Sequence, residues 1–429
     1  MTDRIMVLRT ADAYQTLLFT PDISDEFVQR VEHAWKNFQP EIFEDIQQAY
    51  DAAPTHHQVL VVYGDEANPM ETHSSLMGPY ASFGMQRVLP GEEAKGLQDI
   101  TSRITLSMLE QRAGDSVLLH AAVLGDPATK QAIALIGSSG TGKTTATMTL
   151  GTKYAYLSDE TTIINSDLSV TPYPKPLSII ETRGEPKAQI PAAERGLQPV
   201  DPRDTSYTLS RLVLLKRDEQ FSEPTLEPIT IEGRLQELTD QSSALSKHLE
   251  GINSLLKVIE ATGGVVQLSY AEISDTLPLI ESLLAGEIPA VQEDVEMLLS
   301  PERLPRVFAN GTVVVSRAPG TSAAWLGETF YLLHDQTLDV LSPFAAECWV
   351  QAEGEKSIDE HFKVMGSIFE GLPQDAYHNI MSQLAESGIL QIYVVEDDLF
   401  MMDETLNEAV DLRELIHESD EIVEEDFAD

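Results

Sequence analysis

The segment GSSGTGKTT, Gly137 to Thr145, constrains the fold of this 429-residue chain more than any other feature. It fits the pattern G-x-x-x-x-G-K-[ST] through Gly137, Gly142, Lys143 and Thr144. Glycines allow backbone angles that aim successive N–H groups at phosphate oxygens, and a helix after the loop presents its positive end to the same anion. The segment therefore predicts a phosphate-binding loop between a strand and a helix.

The flanking residues support this interpretation, because QAIALI before the loop is strand-like and TTATMTL after it is typical of a helix start. In such a loop Lys143 neutralises the β and γ phosphates and the Thr144 hydroxyl ligates Mg²⁺, so we expect ATP and Mg²⁺ to bind here. The candidate nucleotide-binding residues are Gly137, Ser138, Ser139, Gly140, Thr141, Gly142, Lys143, Thr144 and Thr145. Within this set we interpret Thr141 and Thr145 as ordinary loop and helix residues. The alternative is a glycine-rich turn with an incidental lysine.

Strand and helix patterns alternate from residue 116 to residue 300, which predicts an α/β core. The predicted strands are 116–124, 131–136, 154–157, 161–164, 211–216 and 265–270. The predicted helices are 144–150, 235–259 and 276–284. The polar segment 217–228, which holds two prolines, is predicted to be a surface loop.

The remaining residues divide into three further predicted regions. Residues 1–115 form a supporting lobe with an amphipathic helix within 27–50, a strand at 59–65 and a helix at 97–112, and no chemical motif assigns it a function. Residues 301–395 begin with a linker at 301–306 and continue as a small, mostly helical domain. Its helices are predicted near 344–350, 358–369 and 377–387. Residues 396–429 form an acidic tail that is predicted to be disordered after residue 415.

Three residues outside the loop are candidates for the chemistry. Asp159 and Glu160 follow the strand-like segment 154–157, and the carboxyl end of such a strand in a parallel sheet meets the phosphate loop. The pair is suited to bind Mg²⁺ or to take a proton from an attacking hydroxyl, but Ser158 or Asp159 could also simply turn the chain. His120, in LLHAAVL, is either a core histidine or a site residue.

The charge balance excludes several classes of partner. Asp and Glu number 70 and Lys and Arg only 28, which gives a formal net charge of −42. Such a surface repels nucleic acids and anionic membranes unless a basic patch overcomes it, and the sequence contains none. The acidity is either a solvated face or a means of steering a basic partner. The single cysteine, the absence of a signal-like N-terminus and the lack of a long apolar run together predict a cytoplasmic location.

The succession LLHAAVL, GSSGTGKTT and YLSDET resembles the catalytic domain of HPr kinase/phosphorylase and its bacterial relatives, a P-loop fold of the phosphoenolpyruvate carboxykinase type. The resemblance implies an α/β fold with a P-loop kinase core of that type, which would follow the N-terminal α/β lobe predicted from residues 1–115. The small C-terminal winged-helix domain is implied by a second resemblance, to another family. The HPr kinase resemblance also implies that Asp159 is the base for a substrate serine, that Glu160 helps to hold metal, and that His120 neighbours the base. The chain differs from the family in its Asp-Glu pair and in ETRG, 181–184, which lacks the usual continuation; both differences argue against HPr as substrate and against phosphorylase activity.

Residues 325–390 resemble the PqqD family of small winged-helix domains, through a β-ribbon followed by LSPFAAECW, SIDE and LAESGIL. That resemblance implies binding of a precursor peptide by pairing with an exposed strand edge. The alternative is a generic winged helix without that role. Five apolar residues are predicted to lie in its core: Leu341, Phe344, Trp349, Ile358 and Leu384.

Together these features predict an ATP- and Mg²⁺-dependent serine kinase that acts on a peptide or small protein, in the biosynthesis of a modified peptide. The alternative is a nucleotide-binding scaffold that presents a peptide to another enzyme without phosphotransfer, and a third option is a kinase for a small molecule such as free serine. HPr kinases are typically hexameric, so the resemblance implies an oligomer unless the added domains block it. Lys175, in PYPKPLSI, either reaches phosphate or lies in a surface turn.

Overall fold

The structure is a computed structural model that describes residues 4–44, 46–52, 58–65, 82–138, 141–182, 184–291, 293–298 and 306–395. The described residues fall into two units. The first takes its residues from Met1–His248 and Ser254–Glu293, and the second from Leu249–Asn253 and Asp294–Asp429. The predicted supporting lobe and most of the predicted nucleotide-binding region, 116–300, therefore lie in one unit, whereas 249–253 and the residues from 294 onwards belong to the second. The acidic tail, 396–429, is outside the described residues.

In its described residues, the first unit begins with a five-stranded sheet and three helices. In chain order they are β1 (Arg4–Arg9), β2 (Tyr14–Phe19), α1 (Asp25–Ala34), β3 (Glu41–Phe43), α2 (Ile46–Ala52), β4 (Gln58–Tyr63), β5 (Ser82–Arg87) and α3 (Glu93–Arg112). The strand order is β3-β1-β2-β4-β5, with β2, β4 and β5 parallel to one another. The strand predicted at 59–65 and the helix predicted at 97–112 are confirmed as β4 and α3.

Helix α1 is shorter than the helix predicted within residues 27–50. It begins after Ser24, whose hydroxyl accepts a hydrogen bond from the backbone N–H of Phe27 at 3.2 Å. The buried residues Phe27, Val28, Val31 and Ala34 follow helical spacing. Pro40 disfavours the helical conformation for Gln39, which instead adopts a φ of 50°. The chain therefore leaves the helix before β3.

The rest of the first unit contains most of the strands. In chain order the elements are β6 (Val117–Leu119), β7 (Ala121–Gly125), β8 (Gln131–Ile136), α4 (Lys143–Leu150), β9 (Ala155–Ser158), β10 (Thr162–Ile164), β11 (Val170–Thr171), β12 (Leu177–Ile179), β13 (Ala188–Ile190), β14 (Gln198–Pro199), β15 (Thr208–Arg217), β16 (Thr225–Ile229), α5 (Leu235–Asp240), β17 (Ser242–Ser243), α6 (Ile252–Ala261), β18 (Val265–Tyr270) and α7 (Leu277–Leu284). A seven-stranded sheet has the order β14-β9-β7-β8-β15-β18-β16, and a four-stranded sheet has the order β11-β10-β6-β17. The class is mixed α/β, as predicted.

Three predictions for this region were wrong in detail. The single strand predicted at 116–124 is two strands in different sheets, because the chain passes from β6 to β7 at His120. The loop predicted at 217–228 contains part of β16, an edge strand antiparallel to β18, and an edge position tolerates Pro228. The helix predicted at 235–259 is interrupted by β17, which pairs with β6.

An aromatic cluster joins the two halves of the first unit. Tyr173, which follows β11, packs edge to face against Phe38 and Trp35, with ring centroids 5.2 Å and 6.4 Å apart. All three side chains are buried in the core beneath α1 and α3. Edge-to-face pairs of this kind add stability beyond the burial of their area. This packing fixes the segment around Tyr173 against the N-terminal lobe.

The described residues of the second unit form two small sheets and three helices. Its elements are β19 (Val295–Leu298), β20 (Val313–Arg317), β21 (Ser322–Leu326), β22 (Thr329–His334), β23 (Thr337–Leu341), α8 (Pro343–Gln351), β24 (Glu353–Ser357), α9 (Ile358–Ile368), α10 (Gln374–Glu386) and β25 (Leu390–Val394). The sheets have the orders β19-β21-β22-β23 and β24-β20-β25. The three predicted helices are confirmed, but strands are as prominent as helices. Trp349, Ile358 and Leu384 are buried core residues, whereas Leu341 and Phe344 are partly buried against that core.

A buried histidine links the helices of the second unit. The His361 side chain is fully buried; its Nδ1 lies 2.7 Å from the Tyr377 hydroxyl and its Nε2 lies 3.0 Å from the carbonyl oxygen of Cys348. A carbonyl only accepts, so Nε2 carries the proton and Nδ1 accepts from the tyrosine. Burial lowers the pKa of His361 to about 4, which keeps the imidazole neutral. Among the helices that the structure describes, none is long and apolar enough to cross a membrane.

Candidate functional site

The topology of the seven-stranded sheet brings three predicted site segments together. Strand β7 lies between β8 and β9 and is antiparallel to both, with Ala121 opposite Ile136. The start of β7 therefore lies beside the ends of β8 and β9. His120 precedes β7, Gly137 follows β8 and Asp159 follows β9, so all three lie at the same end of the sheet, which we call the loop end.

The predicted phosphate loop connects β8 to α4. Gly142 precedes the helix with a φ of 92°, a conformation that glycine adopts without strain. A Cβ atom on Gly137 would lie 2.6 Å from Oγ1 of Thr141, so a larger residue here would displace the Thr141 side chain. The buried Lys143 ammonium lies inside the loop and donates to the carbonyl oxygens of Gly137 and, at 3.4 Å, of Ser138. Ser139 and Gly140 are outside the described residues.

The threonines of the loop differ in their surroundings. The Thr141 hydroxyl donates to the carbonyl oxygen of Ser138 at 2.7 Å, which agrees with its interpretation as a loop residue. Thr145 is exposed on α4, whereas Thr144 is half-buried at the start of that helix. Mg²⁺ in nucleotide sites is held by one or two protein oxygens together with phosphate oxygens. The Thr144 hydroxyl and the Glu160 carboxylate are the oxygen donors that suit this role.

The acidic pair follows β9, as predicted. The Ser158 hydroxyl accepts from the backbone N–H of Thr161 at 2.9 Å and so turns the chain, as one interpretation expected. Asp159 is 2% exposed, and the Tyr156 hydroxyl donates to its Oδ1 at 3.2 Å. The Glu160 side chain is 40% exposed. One carboxylate is therefore buried and the other reaches solvent.

Lys175 lies beside both carboxylates of the acidic pair. Its Nζ lies 2.9 Å from Oε1 of Glu160 and 3.8 Å from Oδ1 of Asp159, and its side chain is 1% exposed. The interpretation of Lys175 as part of a surface turn was therefore wrong. A hydrogen bond of 2.8 Å from the N–H of Tyr173 to the carbonyl oxygen of Leu157 holds its segment beside β9. The sequence contained a signal for the burial of Lys175, because it is the only charged residue between Asp167 and Glu181. A lone charge in an apolar segment needs a partner when it is buried.

The charges of the site act on one another. Burial raises the pKa of Asp159, although Lys175 acts in the opposite direction. Lys175 lowers the pKa of Glu160, which reaches solvent and stays ionised. Burial alone disfavours the Lys175 ammonium, but Asp159 and Glu160 together raise its pKa above the ordinary value. Burial lowers the pKa of Lys143, and Glu160 opposes that change.

His120 belongs to this group of charges. Its side chain lies exposed at the loop end, and its backbone N–H donates to the carbonyl oxygen of Gln241 at 2.6 Å. Partial burial and the Lys143 charge lower the pKa of His120, while Glu160 and Asp159 act in the opposite direction. The imidazole is therefore mostly neutral near pH 7 and able to accept a proton.

The ETRG segment does not join these residues. Glu181 is 61% exposed and pairs with Arg195 at 3.6 Å, and Arg183 is outside the described residues. Within the described part of the chain, no group of three or more His, Cys, Asp or Glu side chains could hold a metal by itself. No family model and no curated protein matches the chain, so the two family resemblances remain predictions.

Proposed function

We propose that the chain is an ATP- and Mg²⁺-dependent kinase that transfers a phosphoryl group to a serine hydroxyl of a peptide or small protein. The observation that carries this proposal is the convergence of a phosphate loop, an acidic pair and a histidine at the loop end of one sheet. The same arrangement supports a P-loop kinase core of the HPr kinase and phosphoenolpyruvate carboxykinase type. Phosphoryl transfer requires little besides positioning and charge stabilisation, and these residues supply both.

The loop residues would bind the nucleotide. Backbone N–H groups at the start of α4 would face the phosphates, and Lys143 would compensate their charge. Thr144 and Glu160 would hold Mg²⁺, which neutralises the charge that develops on the phosphate oxygens. Asp159 would accept the proton of the serine hydroxyl as its oxygen attacks the γ-phosphorus, and the bond to the β,γ-bridging oxygen of ATP breaks. His120 would lie beside this base.

A cleft in the first unit is the candidate that we propose for the acceptor, although none of the proposed site residues lines it. It has a volume of ≈ 480 Å³ and lies between α1 and the segment that contains β13. Lys187 lines this cleft, and its charge is the smallest of the named contributions to the lowered pKa of Glu160. A hydrogen bond of 2.7 Å from the backbone N–H of Lys187 to Oε1 of Gln98 on α3 fixes the wall. The N-terminal lobe would thereby help to form the acceptor site.

One observation favours a second function, a nucleotide-binding scaffold without phosphotransfer. Asp159 is 2% exposed, and both Tyr156 and Lys175 contact its carboxylate. A base must reach the hydroxyl that it deprotonates. If Asp159 keeps these contacts when ATP is bound, the chain would bind nucleotide and present a peptide through its PqqD-like region.

Incubation of the purified chain with γ-labelled ATP, Mg²⁺ and a panel of serine peptides distinguishes the two functions. A kinase transfers label to serine, and the Lys143→Ala variant does not. Lys153→Ala is the matched control, because Lys153 is an exposed lysine beyond the end of α4. Nucleotide binding without label on any acceptor, including free serine, would support the scaffold instead.

A further inference from the structure

The acidic pair already has a cation beside it. The Lys175 ammonium lies between two carboxylates, 2.9 Å from Glu160 and 3.8 Å from Asp159. Glu160 Oε1 is thus both the partner of Lys175 and an atom of the side chain that we assign to Mg²⁺. A lysine and a metal ion cannot both use the same oxygen lone pairs at full strength.

We propose that Lys175 is a built-in counter-ion that keeps Mg²⁺ off Asp159 and Glu160 until nucleotide phosphates are present. Metal and nucleotide would then enter the site together, as one complex. The inference rests on the proposed nucleotide site and assigns Lys175 a positioning role within it. It does not depend on whether the chain transfers phosphate.

The charges around Glu160 explain why Mg²⁺ would not bind there without nucleotide. Asp159, Glu160 and the Lys175 ammonium together carry a charge of −1, and the Lys143 ammonium adds a positive charge that also acts on Glu160. A divalent cation at Glu160 would lie within a few ångströms of the Lys175 ammonium. Within the described residues, no further carboxylate or imidazole completes a metal site. Nucleotide phosphates supply both the missing negative charge and the missing oxygen ligands, which is how Mg²⁺ is usually held in such sites.

Packing prevents Lys175 from moving away into solvent. Its side chain is 1% exposed, and prolines at 174 and 176 restrict the backbone on both sides. The neighbouring Tyr173 is fully buried against Trp35 and Phe38. The ammonium is therefore a fixed charge of the site rather than a mobile surface group.

A titration of the full chain with Mn²⁺, monitored by electron paramagnetic resonance, tests the inference. This measurement does not depend on phosphotransfer. In the wild-type chain we expect specific Mn²⁺ binding only in the presence of a non-hydrolysable ATP analogue. Glu160→Gln corrects for Mn²⁺ that the acidic surface holds nonspecifically. Micromolar Mn²⁺ binding by the chain alone, lost in Glu160→Gln, would overturn the inference.

Replacement of Lys175 distinguishes the proposed electrostatic role from a purely structural one, because only the electrostatic role predicts tighter Mn²⁺ binding. Lys175→Met should bind Mn²⁺ without nucleotide about tenfold or more tightly than the wild type, because the repelling charge is gone. Adding Glu160→Gln to that variant should abolish the gain. Lys187→Met is the matched control, since Lys187 is exposed and only influences Glu160 from the cleft, so its effect should be smaller.

The outcomes are distinct. A folded Lys175→Met chain with unchanged or weaker Mn²⁺ binding would overturn the inference, and if that variant does not fold, the wild-type comparison with and without the analogue decides. Ordered Mn²⁺ binding without label transfer would uphold the role of Lys175 and reject the kinase. A chain that binds Mn²⁺ neither alone nor with the analogue would overturn both.

Discussion

Asp159→Asn is the substitution that most directly tests the proposed kinase. Asparagine keeps the shape of the side chain and can still accept the 3.2 Å hydrogen bond from Tyr156, but it cannot take a proton from a serine. General-base catalysis contributes on the order of 100- to 10,000-fold, which corresponds to about 3–5 kcal/mol of transition-state stabilisation. Lys175 keeps Glu160 as a partner at 2.9 Å, so we expect the folded chain to persist.

The affinity for ATP should change little in this variant. Asp159 follows β9, and the loop follows β8, with β7 between them. Two strand spacings separate these positions by roughly 10 Å. That distance leaves room for a phosphoryl group at the loop and for an attacking hydroxyl between it and Asp159, with neighbouring groups about 3 Å apart. Asp159 would then contact the hydroxyl but not the phosphates that the loop binds.

Calorimetry for ATP affinity and rapid-quench measurement of a single turnover, on the same preparation, separate the possible roles of Asp159. We expect near-normal affinity and a steep loss of transfer, with Asp115→Asn, an exposed aspartate, as the matched control. A loss of MgATP affinity that excess Mg²⁺ partly restores would instead make Asp159 a metal ligand. Wild-type values for both quantities would mean that the acidic pair only turns the chain, and the reasoning would be refuted.

Three further outcomes are expected. Lys143→Ala should lose measurable ATP binding in calorimetry, because it removes the charge that the loop offers to the phosphates, and unchanged affinity would reject the site. Thr144→Ala should raise the Mg²⁺ concentration needed for half-maximal turnover, whereas Thr144→Ser should not; an identical titration for both would contradict the metal role. In the unfolded chain His361 gains a proton below about pH 6.5, whereas in the folded chain its pKa of about 4 keeps it neutral. The free energy of unfolding should therefore fall as the pH falls. Between pH 6.5 and 5 His361 should lower the stability of the second unit by about 1.6 kcal/mol, seen by hydrogen-exchange mass spectrometry, and His361→Gln should remove that part of the pH dependence.

Local signals predicted the elements whose sequence carries its own periodicity or turn chemistry. Helix α3 and strands β4, β8 and β18 lie where the pattern placed them, to within a few residues. The predictions that were wrong concern segments whose conformation depends on a distant partner. Strand β16 exists because β18 offers it a free edge, and β17 interrupts a helical pattern because it pairs with β6. Neither partner is visible from the sequence of the segment itself.

The sequence by itself predicted the phosphate-binding chemistry of the loop, since the spacing from Gly137 to Thr144 carries its own backbone and charge requirements. It also identified His120 and the acidic pair as candidates, but only by their order along the chain. The tertiary structure decided that they meet, because β7 runs antiparallel between β8 and β9 and so brings the start of one strand to the ends of two others. It alone decided the surroundings of Lys175, whose ammonium is buried against Asp159 and Glu160 because the aromatic packing of Tyr173 holds that segment beside β9.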